Sequence, residues 1–212
     1  MKRLRQLNKL QINSKNSITT NCAVIVLAAG SSSRMGRPKQ LLTYNGKSLL
    51  EFTVDTAINS VADPVIVVLG ANTNLVKQVI AHKGIHIAEN KDWSEGMASS
   101  IRCGIEMLMH VAPSSQAAIL MVCDQPFVSS VLLNNLVSKQ KERGSPIVTS
   151  KYKNVIGPPT LFHKTIFSEL LRLKGDTGAK KVVEKHINEV ETISFDEGII
   201  DIDTEADYRA LK

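Results

Sequence analysis

The sequence predicts an α/β fold, a doubly wound and mostly parallel sheet with helices on its faces. Three observations carry that expectation. From residue 22 to 150, short apolar runs alternate with stretches of helical length, the rhythm of right-handed strand–helix–strand crossovers. The runs are apolar throughout, without the in–out alternation of a half-exposed strand, so they read as strands buried on both faces. The implied core is aliphatic, because 43% of the 212 residues are hydrophobic but only 4% are aromatic.

The elements follow in order. Ala23 to Ala28 reads as the first strand and runs into the polar loop `GSSSRMGRPK`. Ser48 and Glu51 have capping-box spacing and open a helix expected to reach about Ser60. `VIVVLG` is the second strand, and Asn72 is placed to cap a short helix ending near Ile80. `GIHIA`, residues 84 to 88, is the third strand. Residues 96 to 110 carry Met97, Ile101, Ile105, Leu108 and Met109 on or near one helical face. `AAILMVC`, residues 117 to 123, is the fourth strand and ends at Asp124. A helix over 129 to 142 and the strand `PIVTS` follow. Beyond residue 150 the rhythm breaks. `KYKNVIGPPTLF` reads as an irregular or hairpin insertion, followed by helices near 164 to 172 and 177 to 187. Short strands are expected near 190 to 194 and 199 to 202, and a last helix after Thr204.

Charge is concentrated at one end. The net charge is +6, but Lys2, Arg3, Arg5, Lys9 and Lys15 precede residue 22 with no acid among them, so the remainder is close to neutral. Residues 1–21 read as a basic, disordered extension, and 22–212 as one domain. A nucleic-acid reader would need a basic face interleaved with aromatics, and neither is evident. No apolar run approaches the length of a membrane span. Cys22, Cys103 and Cys123 form no metal-binding or redox spacing and read as reduced, buried thiols of a cytoplasmic protein. The five histidines form no spaced cluster, and no arrangement suggests a covalent intermediate.

Two loops sit where such sheets bind ligands, at the carboxyl ends of strands. The first is neither a dinucleotide fingerprint nor a Walker A loop, yet it holds the parts of a triphosphate site. Gly30 and Gly36 permit tight turns, successive amides and the hydroxyls of Ser31, Ser32 and Ser33 can donate to phosphate, and Arg34 and Lys39 bring positive charge. The second loop begins at Asp124, the first ionisable residue after a buried strand, where a carboxylate can hold Mg²⁺ against phosphate oxygens. Near the C-terminus Asp201 and Asp203 alternate along an extended segment, so one is expected to face the cleft. Asp203, nearer the segment's end, is favoured as a second metal ligand, with Asp201 as the alternative.

`LAAGSSSRMGRPKQLL` resembles the signature of the nucleotidyltransferase superfamily, and within it most closely the molybdenum cofactor cytidylyltransferase family. Four further segments carry the likeness: `SEGMASSIRCGI`, `VCDQPF`, `GPPTLF` with `KGDTGAKK`, and `IIDIDTEADYRAL`. The resemblance covers about residues 22 to 211. It implies a Rossmann-like three-layer sandwich of the nucleotide-diphospho-sugar transferase type. It implies transfer of CMP from CTP to the terminal phosphate of a molybdopterin-type substrate, with release of pyrophosphate and with Mg²⁺ as cofactor. It puts Leu27, Ala28, Ala29 and Gly30, the loop serines Ser31, Ser32 and Ser33, and Ser99 and Ser100 at the nucleotide; Trp93, the only tryptophan, reads first as a half-buried packing residue, with the cleft as the alternative. Lys39, Arg34 and Asp124 become the catalytic residues, and Asp124 with Asp203 the metal ligands. The second alanine of Leu27-Ala28-Ala29-Gly30 favours cytidine, since the guanylyl relatives resemble LAGG there. Two departures concern the acceptor: Pro158 stands where the family has histidine, and Lys180 where it has arginine. The alternatives are guanylyl or other nucleotidyl transfer to a different phosphorylated small molecule, and a non-catalytic accessory protein for a client molybdoenzyme.

Overall fold

A computed structural model describes residues 21–211; most of the expected N-terminal extension lies outside the described residues. They build a seven-stranded sheet in the order β5-β4-β1-β6-β8-β7-β9 and a small hairpin, β2-β3. The strands are β1 (Cys22–Leu27), β2 (Thr43–Tyr44), β3 (Lys47–Ser48), β4 (Val65–Leu69), β5 (His86–Glu89), β6 (Ala117–Val122), β7 (Ile147–Tyr152), β8 (Val155–His163) and β9 (Val190–Ser194). The α-helices are α1 (Leu49–Ile58), α2 (Thr73–Val76), α3 (Met97–Val111), α4 (Ser130–Arg143), α5 (Phe167–Leu170), α6 (Lys180–Lys185) and α7 (Glu205–Ala210).

The parallel pairings are β1 with β4 and β6, β4 with β5, and β7 with β9, while β8 runs against both β6 and β7. The result is the Rossmann-like three-layer arrangement. Val24 and Val26 of β1 pack with Leu50 and Val54 of α1 and Leu133 and Leu136 of α4 on one face. Ala23 and Ile25 pack with Ile101, Ile105 and Leu108 of α3 and Leu170 of α5 on the other. Each strand of the centre is therefore apolar on both sides, which is why its sequence shows no alternation.

Several local expectations meet their physical cause. Ser48 accepts from the Glu51 amide and Glu51 reaches back to the Ser48 amide, the reciprocal box that starts α1. Thr204 and Asp207 repeat it at α7. Asn72, by contrast, does not cap α2: its φ is 60°, its side chain makes no cap bond, and the Thr73 hydroxyl instead donates to the Gly70 carbonyl. Cys22 and Cys123 are buried, but Cys103 is only half-buried.

Two longer segments differ from expectation. `KYKNVIGPPTLF` is a hairpin, and its second arm is the nine-residue strand β8, seated inside the sheet between β6 and β7. Pro158 and Pro159, which lack amide donors, sit where the β7–β8 register shifts, so no ladder bond is lost there. Residues 199–202 form no strand. A 3-10 turn spans Asp196–Ile199, and the chain then leaves the β9 edge and crosses to the end of β6, where the Ile202 amide donates to the Asp124 carbonyl at 3.0 Å.

Candidate functional site

The sheet order grows in opposite directions from β1: β4 and β5 on one side, β6 on the other. The loops leaving β1 and β6 therefore part at the carboxyl edge and leave a crevice, the position where open α/β sheets take ligands.

The loop after β1 is held from below by Gln40. This side chain is buried, and its Nε2 donates to the carbonyls of Ala28 at 2.9 Å and Gly30 at 2.8 Å. Its Oε1 accepts from the Ser32 hydroxyl at 3.3 Å, and Ser32 Oγ accepts from the Lys39 amide at 2.9 Å. Ser32 and Gly36 adopt the left-handed conformation, φ 57° and 67°, and bracket a 3-10 turn at Ser33–Met35. Lys39 is thus delivered to the crevice by a polar brace rather than by the two glycines alone.

There Lys39 Nζ lies 2.5 Å from Asp124 Oδ2 and 3.0 Å from Asp203 Oδ1. Arg34 Nη1 stands 3.2 Å from the other Asp203 oxygen. Burial is the largest single effect on the Lys39 ammonium and works against it, but the charge and hydrogen bond of Asp124 together with the hydrogen bond to Asp203 outweigh it, so the lysine is held above its ordinary range and stays cationic. The side chains of Lys39 and Asp124 are 16% and 19% exposed, that of Arg34 74%, so Lys39 is enclosed in the crevice while Arg34 lies at its solvent edge. Asp201 also belongs to this cluster. Burial and the neighbouring Asp124 carboxylate raise its pKa. Asp201 and Asp203 therefore both stand near Asp124, on either side of the buried Ile202, whereas the sequence pattern placed only one of them in the cleft. The cause is the Ile202–Asp124 backbone bond, which lays this segment along the crevice instead of in a sheet.

Asp124 Oδ1 is buried and has no hydrogen-bond partner. An unpartnered, buried carboxylate oxygen is a hard, anionic donor of the kind divalent cations take, so Asp124 fits a metal ion; among the described residues no three metal-ligating side chains are gathered at one point, and Lys39 Nζ is paired with both Asp124 and Asp203. Gln125 Oε1 beside it is likewise buried and unpartnered, while its Nε2 donates to the Gly198 carbonyl.

On the β4 side of the crevice is a pocket of about 240 Å³. Leu27, Ala29, Gly30 and Ser31 form one wall; Trp93, Gly96, Met97, Ser100 and Asp176 face them. Gly96 has φ 107°, and a Cβ there would lie 2.6 Å from the Asp176 Cα, so only glycine lets the 174–178 loop close on the start of α3. The Ala98 amide donates to the Gly175 carbonyl, so one of the helix's first amides is already taken. Asn90 Nδ2 donates to Ser99 Oγ at 2.8 Å and Ser100 Oγ at 3.1 Å. Of the nucleotide-site residues named from sequence, the structure brings Leu27, Ala29, Gly30, Ser31 and Ser100 to this pocket. It does not bring Ala28, which packs under α1, or Ser32, which braces the loop. Ser33 is exposed in its 3-10 turn, and Ser99, whose hydroxyl donates to the Gly96 carbonyl, faces a separate surface recess.

A second cavity, about 310 Å³, adjoins the first across Leu27 and Met97, which line both. Pro158 and Lys180 lie on its wall. Gln40, Asn90 and Ile202 were not found by sequence reasoning. Gln40 and Asn90 are buried polar residues in or beside apolar runs, and that incongruity was the available signal. Ile202 looks like any core residue.

The protein-family comparison matches residues 24–190 to the MobA-like NTP transferase domain. Nicotine blue oxidoreductase of Paenarthrobacter nicotinovorans is 31% identical over 165 residues, 74% of this chain and 78% of its own length. Purine catabolism protein PucB of Bacillus subtilis is 27% identical, over 76% and 79% of the two chains. Rv0371c of Mycobacterium tuberculosis H37Rv superposes with a TM-score of 0.81 at 34% identity, over 91% of this chain and 97% of that one; its manganese complex gives 0.75 at 31%, over 90% and 97%. With the domain match spanning most of the sequence and relatives above 30% identity on the same fold, this chain belongs to the MobA-like NTP transferase family, a nucleotidyltransferase by its domain.

Proposed function

We propose that the protein transfers CMP from CTP to the terminal phosphate of a small-molecule acceptor, releasing pyrophosphate, with the molybdenum cofactor as the acceptor that the sequence resemblance implies. One observation carries the reading: the cationic loop of β1 and the carboxylate after β6 meet within 2.5 Å, Lys39 against Asp124, at the edge where a triphosphate would lie.

The chemistry is direct displacement. A phosphate oxygen of the acceptor attacks the α-phosphorus in line; the bond to the bridging oxygen of pyrophosphate breaks, and its electron pair leaves with pyrophosphate. No general base is needed, since the attacking phosphate is already ionised. Asp124, with Asp203 or Asp201, would hold a divalent ion, which would supply charge neutralisation for the donor phosphates; the manganese complex of Rv0371c supports a divalent ion in a relative. Lys39, with its position fixed by the Gln40 brace, holds positive charge where the α-phosphate would develop negative charge. Arg34, exposed at the rim beside Asp203, would reach the leaving group. Leu27, Ala29, Trp93 and Met97 cover the nucleoside, and Ala29, with no larger side chain nor a glycine at that place, supports cytidine.

A specific observation favours a second reading of the acceptor. Pro158 replaces the family histidine, and relatives carry names as different as nicotine blue oxidoreductase and PucB. Pyrophosphate release with CTP, GTP, ATP and UTP, measured with and without molybdenum cofactor, separates the readings. Release with CTP alone among nucleotides and only with the cofactor supports the first. Release only with another acceptor supports the second, and no release with any nucleotide would leave an accessory role.

A further inference from the structure

The cavity beside the donor pocket has a chemistry of its own. Most of its wall is carbon: Ile101, Leu120, Val155, Ile156, Phe162 and Val183 face it. Its hydroxyls are turned inward. Thr149 Oγ1 and Thr160 Oγ1 lie 2.6 Å apart, and each is within 3.0 Å of the Gly157 carbonyl. Tyr152 stacks its hydroxyl on Gly157, so closely that a Cβ at Gly157 would lie 2.0 Å from it. The charged residue on the wall is Lys180, exposed at the rim and paired only loosely with Glu184 at 3.9 Å. The cavity opens beside the donor pocket across Leu27 and Met97.

A ring that needs hydrogen bonds around its edge would lose its water there without replacement. An apolar body would lose nothing, and a single phosphate would meet Lys180 at the entrance. A volume of about 310 Å³ is within the range of small-ligand sites. We propose that this cavity receives the acceptor, and that the acceptor is the phosphomonoester of a mostly apolar, ring-bearing molecule, with its body among these side chains and its phosphate directed past Lys180 to the crevice. The assignment rests on the nucleotidyl-transfer reading and refines its second form. On this wall the second reading of the acceptor displaces the first, because a pterin would bury a polar edge against carbon.

The test compares 1-naphthyl phosphate with ribose 5-phosphate by calorimetry. Both present the same phosphate, so a difference reports on the body alone. The wild-type protein is expected to bind the naphthyl ester at least about 10-fold more tightly, the effect of burying a few carbons. Val155→Asp places a charge on the wall at a residue that is 47% exposed. Ala179→Leu fills the cavity from the start of α6 without adding charge. Each is expected to remove the naphthyl preference while leaving CTP affinity in the presence of Mg²⁺ unchanged. Equal binding of the two esters by wild type, or a preference that survives both folded variants, would overturn the assignment while leaving nucleotidyl transfer standing. Absence of CTP binding by the wild type would overturn nucleotidyl transfer, and the acceptor assignment with it.

Discussion

Asp124 gives one oxygen to Lys39 and keeps the other buried without a partner. An arrangement that costs stability and persists is one that a ligand is expected to complete. Asp124→Ala should lower CTP-dependent pyrophosphate release by about 100-fold or more, with the melting temperature within a few degrees of wild type; near-normal turnover would remove Asp124 from the metal site. Gln40 acts one layer down. Gln40→Leu strips the donors from the Ala28 and Gly30 carbonyls, at about 1–3 kcal/mol. Thermal unfolding should register the loss, and CTP affinity should fall with it, because the same bonds place Lys39. A drop in stability with full affinity would make the brace structural only. Away from the site, hydrogen bonds to Glu189 and Glu169 raise the pKa of His186. Its folded value therefore exceeds the unfolded one. The stability it contributes is complete below the unfolded pKa and is lost as pH rises through the folded value. An NMR titration should place His186 above 6.5, and Glu169→Gln should bring it down; an unshifted titration would refute the pairing.

At the scale of elements, the C-terminal segment is what completes the crevice. Leu42, Leu49, Ile202 and Tyr208 form a small cluster of their own, the Tyr208 hydroxyl donates to the Thr43 carbonyl at 2.8 Å, and Arg37 pairs with Glu205 at 2.8 Å. Helix α7 is thereby fastened to the loop that carries Lys39, and Ile202 sits between Asp201 and Asp203 with its amide on Asp124. Ile202→Ala should cost about 2–5 kcal/mol and loosen both aspartates. Stability and the apparent Mg²⁺ requirement for turnover should then change together; a stability loss with an unaltered Mg²⁺ dependence would separate packing from placement. Gly198 enforces the turn before it: a Cβ there would lie 2.6 Å from both Phe195 and Tyr152. The capping boxes at Ser48 and Thr204 were legible because they are local, three residues wide. The strand expected at 199–202 was not there because pairing is decided by what lies alongside, and the edge beside β7 was already taken by β9. The nine residues of β8 were obscured by two prolines that only a register shift makes admissible.

For the whole molecule, β1 and β6 are neighbours with their loops on the same edge, and residues 39, 124 and 203, far apart along the chain, meet across one crevice. A ligand bridging these three segments should stabilise the folded state as a unit. Saturating CTP with Mg²⁺ at about 100 times its dissociation constant would contribute about 2.7 kcal/mol, a rise of roughly 5–10 °C for a chain of this size. CTP or Mg²⁺ alone should give much less, and equal shifts from either alone would show that they do not share the crevice. The sequence by itself determined the strand–helix rhythm, the aliphatic core buried on both faces, the caps, and the loops that carry charge, because each of these is written in residue type and short-range spacing. Only the tertiary structure decided that Asp203 shares Lys39 with Asp124, that Gln40 carries the loop after β1, and that the cavity next to the Leu27–Trp93 pocket is apolar. Those facts depend on which distant segments pack together, and packing is a property of the closed fold that no local window contains.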